Sequence, residues 1–229
     1  MMATVEPRDE SLDSLVATRL AELRQRIERA GGIGVSVLPV TKTFPVEACW
    51  AAHRAGCGSV GENYAQEVVA KFGEERPPFG VHFIGQLQTN KVRSLAGIIT
   101  VYETVDRASL VREIAKRAPG ATVLVQVDTS GEPGKGGCPL QEVPELVDLA
   151  VAEGLDVRGL MTVGPTVGGP EAARAGFRAV RTMLDRLGLP VLSMGMTDDL
   201  EVAVQEGSTQ VRVGSALFGT RPPATRAVR

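Results

Sequence analysis

The segment TVLVQV, residues 122–127, is an almost unbroken run of apolar and β-branched residues. Runs of this length and composition are typical of parallel strands that are buried on both faces. Amphipathic patterns on either side of it predict helices at residues 107–117 and 141–152. A buried strand between two such helices predicts a parallel sheet that is covered by helices.

The same alternation extends in both directions along the chain. Seven further strands are predicted at residues 35–40, 59–60, 81–84, 98–102, 156–162, 191–194 and 210–213. The other helices between them are predicted at residues 46–55, 64–72, 90–95, 171–187 and 198–206. No linker or low-complexity stretch interrupts the series. Eight strand–helix units in about 200 residues predict a single (β/α)8 TIM-type barrel.

An extra helix is predicted before the first strand. Residues 11–30 place apolar side chains on one stripe at helical spacing, and two glycines end the pattern. We therefore expect a flexible segment at residues 1–10, one barrel domain at residues 11–221 and a flexible tail at residues 222–229. A doubly wound open sheet is the structural alternative, but the G-x-G-x-x-G motif expected after its first strand is absent.

Charge and cysteine content narrow the classes of function. The 229 residues include 25 Lys and Arg against 27 Asp and Glu, a net charge of −2. Such a chain lacks the strongly basic face that nucleic acid or an anionic membrane requires. The three cysteines have no zinc-type spacing and are expected to be reduced and mostly buried, and two histidines offer little to a metal site. Without a signal-peptide pattern or an apolar run of membrane-spanning length, we expect a cytoplasmic protein.

The carboxyl ends of the strands form the functional face of such a barrel. The first predicted strand runs into Lys42. A desolvated lysine near positive charge has a lowered pKa, and its free amine can form a Schiff base with an aldehyde. An ordinary solvated loop lysine fits the same position, so Lys42 alone is a weak signal.

The last two predicted strands end in glycine, serine and threonine. Thr197 is a predicted helix N-cap after the seventh strand, and Arg212, Gly214 and Ser215 lie at or just past the end of the eighth. Exposed backbone N–H groups at these two ends predict a phosphate site, although turn and capping chemistry explains the same residues. Arg212 cannot lose its proton, so near a barrel mouth it must meet an anion or a ring acceptor.

At these residues the sequence resembles the YggS/PROSC-type pyridoxal 5′-phosphate (PLP) homeostasis proteins, which are related to the N-terminal barrel of alanine racemase. The resemblance extends from about residue 33 to residue 221, with seven motifs in the family's order and spacing. They are LPVTKTFPVE, GENYAQE, HFIGQLQTNKV, VDTSGEPGKGG, GLMTVG, LSMGMTDDLE and QVRVGSALFGTR. The resemblance implies a PLP-binding barrel that stores, buffers or delivers the cofactor and so influences amino-acid and keto-acid metabolism.

The resemblance also implies which residues meet the cofactor. Lys42 resembles the lysine that carries PLP as a Schiff base, and Arg212 resembles the residue that faces the pyridine nitrogen. Ser193, Thr197, Gly214 and Ser215 resemble the phosphate-binding group. The remaining residues implied at the cofactor are Asn63, Met194 and Met196. We assign no catalytic and no metal-ligating residue.

The chain departs from its relatives in places that bear on enzyme activity. Many members have a histidine where this chain has Gln86, and a Lys-His pair where it has residues 134–136, so neither position receives a role. The β-rich second domain of alanine racemase, with its tyrosine base, is absent, and Val163 stands where racemases place a histidine over the ring. Racemisation by two bases needs an acid or base on each face of the substrate, and one face lacks it.

We therefore expect a PLP-binding protein without robust turnover. A monomer is expected because the missing domain removes the main dimer interface of the racemase, and PLP-dependent apoenzymes are candidate partners. Two alternatives stay open: a one-domain PLP-dependent amino-acid racemase of low activity with Lys42 as its only base, and a barrel aldolase in which Lys42 forms a Schiff base with a sugar phosphate. The full set of motifs disfavours the aldolase.

Overall fold

The computed structural model describes residues 11–220, so the predicted terminal segments 1–10 and 222–229 lie outside the described residues. Strands and helices alternate along this range. The strands are β1 (Ser36–Pro39), β2 (Ser59–Glu62), β3 (Gly80–Phe83), β4 (Val101–Val105), β5 (Thr122–Val127), β6 (Asp156–Thr162), β7 (Val191–Ser193) and β8 (Gln210–Val213). The α-helices are α1 (Leu12–Arg29), α2 (Val46–Arg54), α3 (Ala65–Phe72), α4 (Thr89–Leu95), α5 (Ala108–Arg117), α6 (Val143–Ala152), α7 (Arg174–Leu187), α8 (Leu200–Gln205) and α9 (Ser215–Phe218).

The strands form one parallel sheet that curves into a barrel. Their order is β1-β8-β7-β6-β5-β4-β3-β2, and every neighbouring pair is parallel. The two edges meet at a parallel bridge between Val40 and Gly61, where Thr41 N donates to Gly61 O at 3.0 Å. The predicted (β/α)8 barrel with an extra N-terminal helix is confirmed.

The main apolar core lies between the barrel and its helices. Val123, Val125 and Val127 of β5 belong to this core, whereas Leu124 and Gln126 alternate with them on the other side of the strand. The helix α1 buries one face through Val16, Leu20, Leu23 and Ile27 and packs against α2, α8 and α9. The extra helix is therefore part of the outer layer of the barrel.

Some boundaries differ from the sequence prediction. The strand predicted at residues 98–102 lies at 101–105, because the N–H groups of Ile98 and Ile99 bind the Leu95 carbonyl in the turn after α4. The helix predicted at residues 171–187 begins as a 3-10 turn (Pro170–Ala173) before α7. Thr197 was predicted to be an N-cap, which is wrong: α8 starts at Leu200, and Asp199 occupies the cap position. The short helix α9 was not predicted.

Three further properties of the described residues concern the cysteines, membrane-spanning helices and metal sites. All three cysteines are free and buried, as predicted. Within residues 11–220, no helix is both long and apolar enough to cross a membrane. Across the same residues, no cluster of three or more His, Cys, Asp or Glu side chains could hold a metal ion.

Candidate functional site

A cavity of about 370 Å³ opens at the carboxyl ends of the strands. Its volume lies within the range of small-molecule pockets, about 300–1,000 Å³. It is lined by Val40, Lys42, Asn63, Ile84, Val163, Met196, Thr197, Asp198, Arg212, Gly214 and Ser215. Seven of the nine residues predicted at the cofactor are in this lining. The fold therefore brings residues from the first half of the chain, between positions 40 and 84, next to residues between positions 163 and 215.

The other two predicted residues, Ser193 and Met194, do not line this cavity and are fully buried. Ser193 Oγ donates to Glu103 Oε2 at 2.6 Å and accepts from Arg212 Nη1 at 2.8 Å. Met194 belongs to the apolar core. In this structure Ser193 supports Arg212 from inside the barrel.

Arg212 supplies a fixed cation at the floor of the cavity. Its Nη1 donates to the Ser193 carbonyl and its Nη2 to the Thr162 carbonyl, both at 2.7 Å. Burial lowers the pKa of this guanidinium, while the nearby carboxylates of Glu103 and Asp199 act in the opposite direction. An arginine nevertheless remains protonated in proteins, so the positive charge is permanent.

A buried polar cluster below Arg212 was missed by the sequence analysis. Glu103 accepts hydrogen bonds from His82 Nδ1 at 2.6 Å and from Gln210 Nε2 at 2.7 Å, besides the bond from Ser193. Burial opposes ionisation of Glu103, but these bonds and the charge of Arg212 outweigh it and hold the pKa of the carboxyl below its ordinary value. The signal was a carboxylate within an apolar strand, which is costly unless it is paired.

Lys42 lies three residues after the end of β1, just past the barrel closure. Val40 N donates to Val213 O at 2.8 Å, and Thr41 is completely buried. Across the closure, Asn63 follows β2 and also lines the cavity, and its Oδ1 is buried without a hydrogen-bond partner among the described residues. A buried acceptor of this kind calls for a donor that residues 11–220 do not provide.

The opposite side of the cavity is formed by the ends of β7 and β8. Gly214 and Ser215 lead into α9, and the first N–H groups of a helix have no partner within it. The Thr197 side also carries an acidic residue, Asp198, in the lining. Nearby, Asp199 Oδ1 accepts from Met196 N at 2.6 Å, and burial raises the pKa of that carboxyl. This side therefore combines hydroxyl and amide donors with one carboxylate.

A larger cavity of about 510 Å³ adjoins the first and shares Val163, Met196 and Asp198 with it. Lys135 lines this second cavity and donates to the Gly164 carbonyl at 2.7 Å. Glu132 bridges the same two loops through the hydroxyl and N–H of Thr166. Hydrogen bonds from Lys135 and Thr166 lower the pKa of Glu132 to about 2.

Comparisons with known proteins assign this arrangement to a family. The model of the alanine racemase N-terminal domain matches residues 14–222. A pyridoxal phosphate homeostasis protein from Pseudomonas aeruginosa is 39% identical over 223 residues, which cover 91% of this chain and 96% of the relative. The chain belongs to the pyridoxal phosphate homeostasis protein family.

Solved structures agree with membership of the homeostasis protein family. PipY of Synechococcus elongatus, in a structure with PLP bound, has a TM-score of 0.75 at 31% identity, over 89% of this chain and all of PipY (100%). A protein from Bifidobacterium adolescentis that is described as unknown has a TM-score of 0.82 at 32% identity, over 93% of this chain and 98% of that one. The fold of this chain thus matches both solved structures over nearly their full lengths.

Proposed function

We propose that this chain binds PLP as a Schiff base on Lys42 and acts in cytoplasmic PLP homeostasis, where it stores, buffers or delivers the cofactor. The observation that carries the proposal is the cavity that unites Lys42, Arg212 and the donors at Thr197 and Ser215. The homeostasis protein of P. aeruginosa and the PLP-bound PipY structure support it.

The residues of the cavity fit the groups that PLP presents. The amine of Lys42 can form a Schiff base with the PLP aldehyde. The hydroxyls of Thr197 and Ser215 and the N–H groups at Gly214 can donate hydrogen bonds to its phosphate. Asn63 lines the same cavity, and its Oδ1 has no hydrogen-bond partner among the described residues. Asp198 also lines the cavity, and its negative charge opposes a phosphate there. Bound PLP supplies a reactive aldehyde and an electron-withdrawing ring.

Storage or delivery, rather than turnover, agrees with the groups that line the cavity. We propose that Arg212 faces the pyridine nitrogen, where a permanent cation keeps that nitrogen unprotonated and the ring a poor electron sink. Val163, which carries no proton donor or acceptor in its side chain, lines the same cavity. Among the described lining residues there is no tyrosine or histidine. PLP-dependent apoenzymes are the proposed recipients, and the proposed state is a monomer.

The first prediction concerns Lys42. Lys42→Ala is expected to abolish the visible absorbance of the Schiff base, because the amine that forms it is gone, and to leave the thermal unfolding of the PLP-free protein close to wild type. Spectra of freshly purified protein before and after borohydride measure the linkage. Borohydride reduces the C=N bond to a stable amine, so peptide mass spectrometry should locate PLP on residue 42 of the wild type.

Lys116→Ala is the matched control, since Lys116 is an exposed lysine on α5. It should keep the full absorbance. A Lys42→Ala protein that retains the wild-type band would remove Lys42 from the proposal. PLP that is held only through its phosphate would remain bound, but borohydride would not attach it covalently to the chain.

A further inference from the structure

The backbone at Lys42 is held in an unusual conformation. Thr43 has a φ of 66°, the only positive φ at a non-glycine residue in the described part of the chain. The left-handed region is disfavoured for a β-branched residue, because its branched Cβ crowds the backbone. Such a conformation persists only where the surroundings enforce it, and it occurs often at functional sites. Thr43 therefore needs partners that hold it in this conformation.

Side chains from β2 and α3 provide these partners on both sides of Lys42. Glu67 Oε2 accepts from Thr43 N at 2.8 Å. Lys71 Nζ donates to the Thr41 carbonyl at 2.9 Å and to Glu62 Oε1 at 2.6 Å. Thr41 Oγ1 donates to the same Glu62 oxygen at 2.7 Å. Glu67 and Lys71 lie one helical turn apart on α3, with Oε2 and Nζ separated by 3.7 Å.

The burial of Lys71 and Glu62 indicates that these side chains hold the backbone in place rather than add charge to the cavity. The side chain of Lys71 is 9% exposed and that of Glu62 is completely buried, with Oε2 unpartnered among the described residues. Burial raises the pKa of Glu62, while Lys71 and Thr41 act against that rise. Lys71 lies between two carboxylates that compensate its charge, so it adds little net positive charge to the cavity.

We propose that Glu67 and Lys71 are positioning residues that fix the backbone on both sides of Lys42 and thereby aim its amine into the cavity. This inference rests on the proposed function, in which Lys42 carries PLP. Neither residue is among those that line the cavity. When the backbone at Thr43 loosens, the amine of Lys42 samples more orientations, and PLP is released faster.

The test changes Glu67, whose side chain is 30% exposed, so that a variant can fold. Glu67→Leu removes the acceptor of Thr43 N, whereas Glu67→Gln keeps an amide oxygen there. Hydrogen exchange at the Thr43 amide is measured in the PLP-free protein, and the rate of PLP loss during dialysis is measured in the loaded protein. Loss of one hydrogen bond is expected to accelerate both by about two- to tenfold in Glu67→Leu, with rescue in Glu67→Gln.

Glu113→Leu is the control, because Glu113 also forms an ion pair with a residue four positions later, Arg117, on α5. It should change neither rate. Lys71 is a poorer first target, since its removal leaves the buried charge of Glu62 uncompensated and endangers folding. Wild-type exchange at Thr43 in Glu67→Leu, or faster exchange with unchanged PLP loss, would overturn the inference. Failure of the proposed function would give a different result. Lys42→Ala would then keep the absorbance, while hydrogen exchange at the Thr43 amide would still test the contact with Glu67.

Discussion

At the scale of single residues, the guanidinium of Arg212 both lines the cavity and forms hydrogen bonds inside the barrel. Arg212 binds two backbone carbonyls and Ser193, and Glu103 below it holds Ser193 in place. The guanidinium therefore binds the last residues of β6 and β7 inside the barrel. Substitution of Arg212 should affect both the environment of the cofactor and the stability of the fold.

The prediction is that Arg212→Gln changes the visible spectrum of the loaded protein and weakens PLP retention, because the proposed neighbour of the pyridine nitrogen loses its charge. In the PLP-free protein, the same change should lower the free energy of unfolding by about 3–5 kcal/mol, the usual cost of breaking a buried charged network. Absorbance and urea unfolding measure the two effects. An identical spectrum with equal retention would show that Arg212 does not face the cofactor.

The site residues differ in how far the sequence could predict them. Lys42, Arg212, Gly214 and Ser215 were predictable because they lie at or just past strand ends, and strand ends meet at one face of a barrel. Ser193 also ends a strand, but its inward direction depends on the register of β7 with β8, which no local pattern shows. The partners of Thr43 come from α3, and such tertiary contacts leave no periodic signal.

At the scale of elements, the pairing of β6 with β7 depends on a glycine. Gly159 pairs with Val191, and a Cβ at residue 159 would lie 1.9 Å from the Val191 carbonyl oxygen. No real contact is that short, so a larger residue must displace one strand. Most strands were predictable because they are continuous apolar runs. The prediction misplaced β4, because the polar residues Glu103 and Thr104 interrupt the apolar pattern in its second half.

Gly159→Ala is expected to destabilise the protein by about 1–3 kcal/mol, the usual cost of overpacking a close contact. Gly58→Ala is the matched control, since a Cβ there meets nothing within 4 Å and Gly58 does not have a positive φ. It should change the free energy of unfolding by no more than about 0.5 kcal/mol. Urea unfolding of both PLP-free variants provides the comparison. Equal stability of the two would mean that β6 and β7 adjust without cost.

At the scale of the whole molecule, a single barrel supplies all the described residues of the cavity lining. Lys42 is the proposed amine, and the described lining contributes no phenol or imidazole opposite it. General acid or base help typically contributes a factor of about a hundred to ten thousand in rate. A protein whose second face has neither a tyrosine nor a histidine base should hold PLP without efficient racemisation.

The corresponding prediction is that no L-amino acid is racemised at an enzyme-like rate. Alanine and serine are incubated with the PLP-loaded protein, and the D-enantiomers are followed by chiral chromatography. Turnover should remain far below the enzyme median of roughly ten per second. A rate near that median that disappears in Lys42→Ala would instead establish a one-domain racemase.

The closure of the barrel has a consequence for biosynthesis. The cavity combines Lys42, beside the Val40–Gly61 bridge, with Arg212 and Ser215 near the other end of the chain. Ribosomes add roughly 5–20 residues per second, so these two parts are made on the order of ten seconds or more apart. During that interval the nascent chain has the lysine but not the arginine or the proposed phosphate donors at Gly214 and Ser215. Capture of the cofactor in this cavity therefore follows synthesis of β8 and the residues just after it, and a chain truncated before β8 cannot sequester it there.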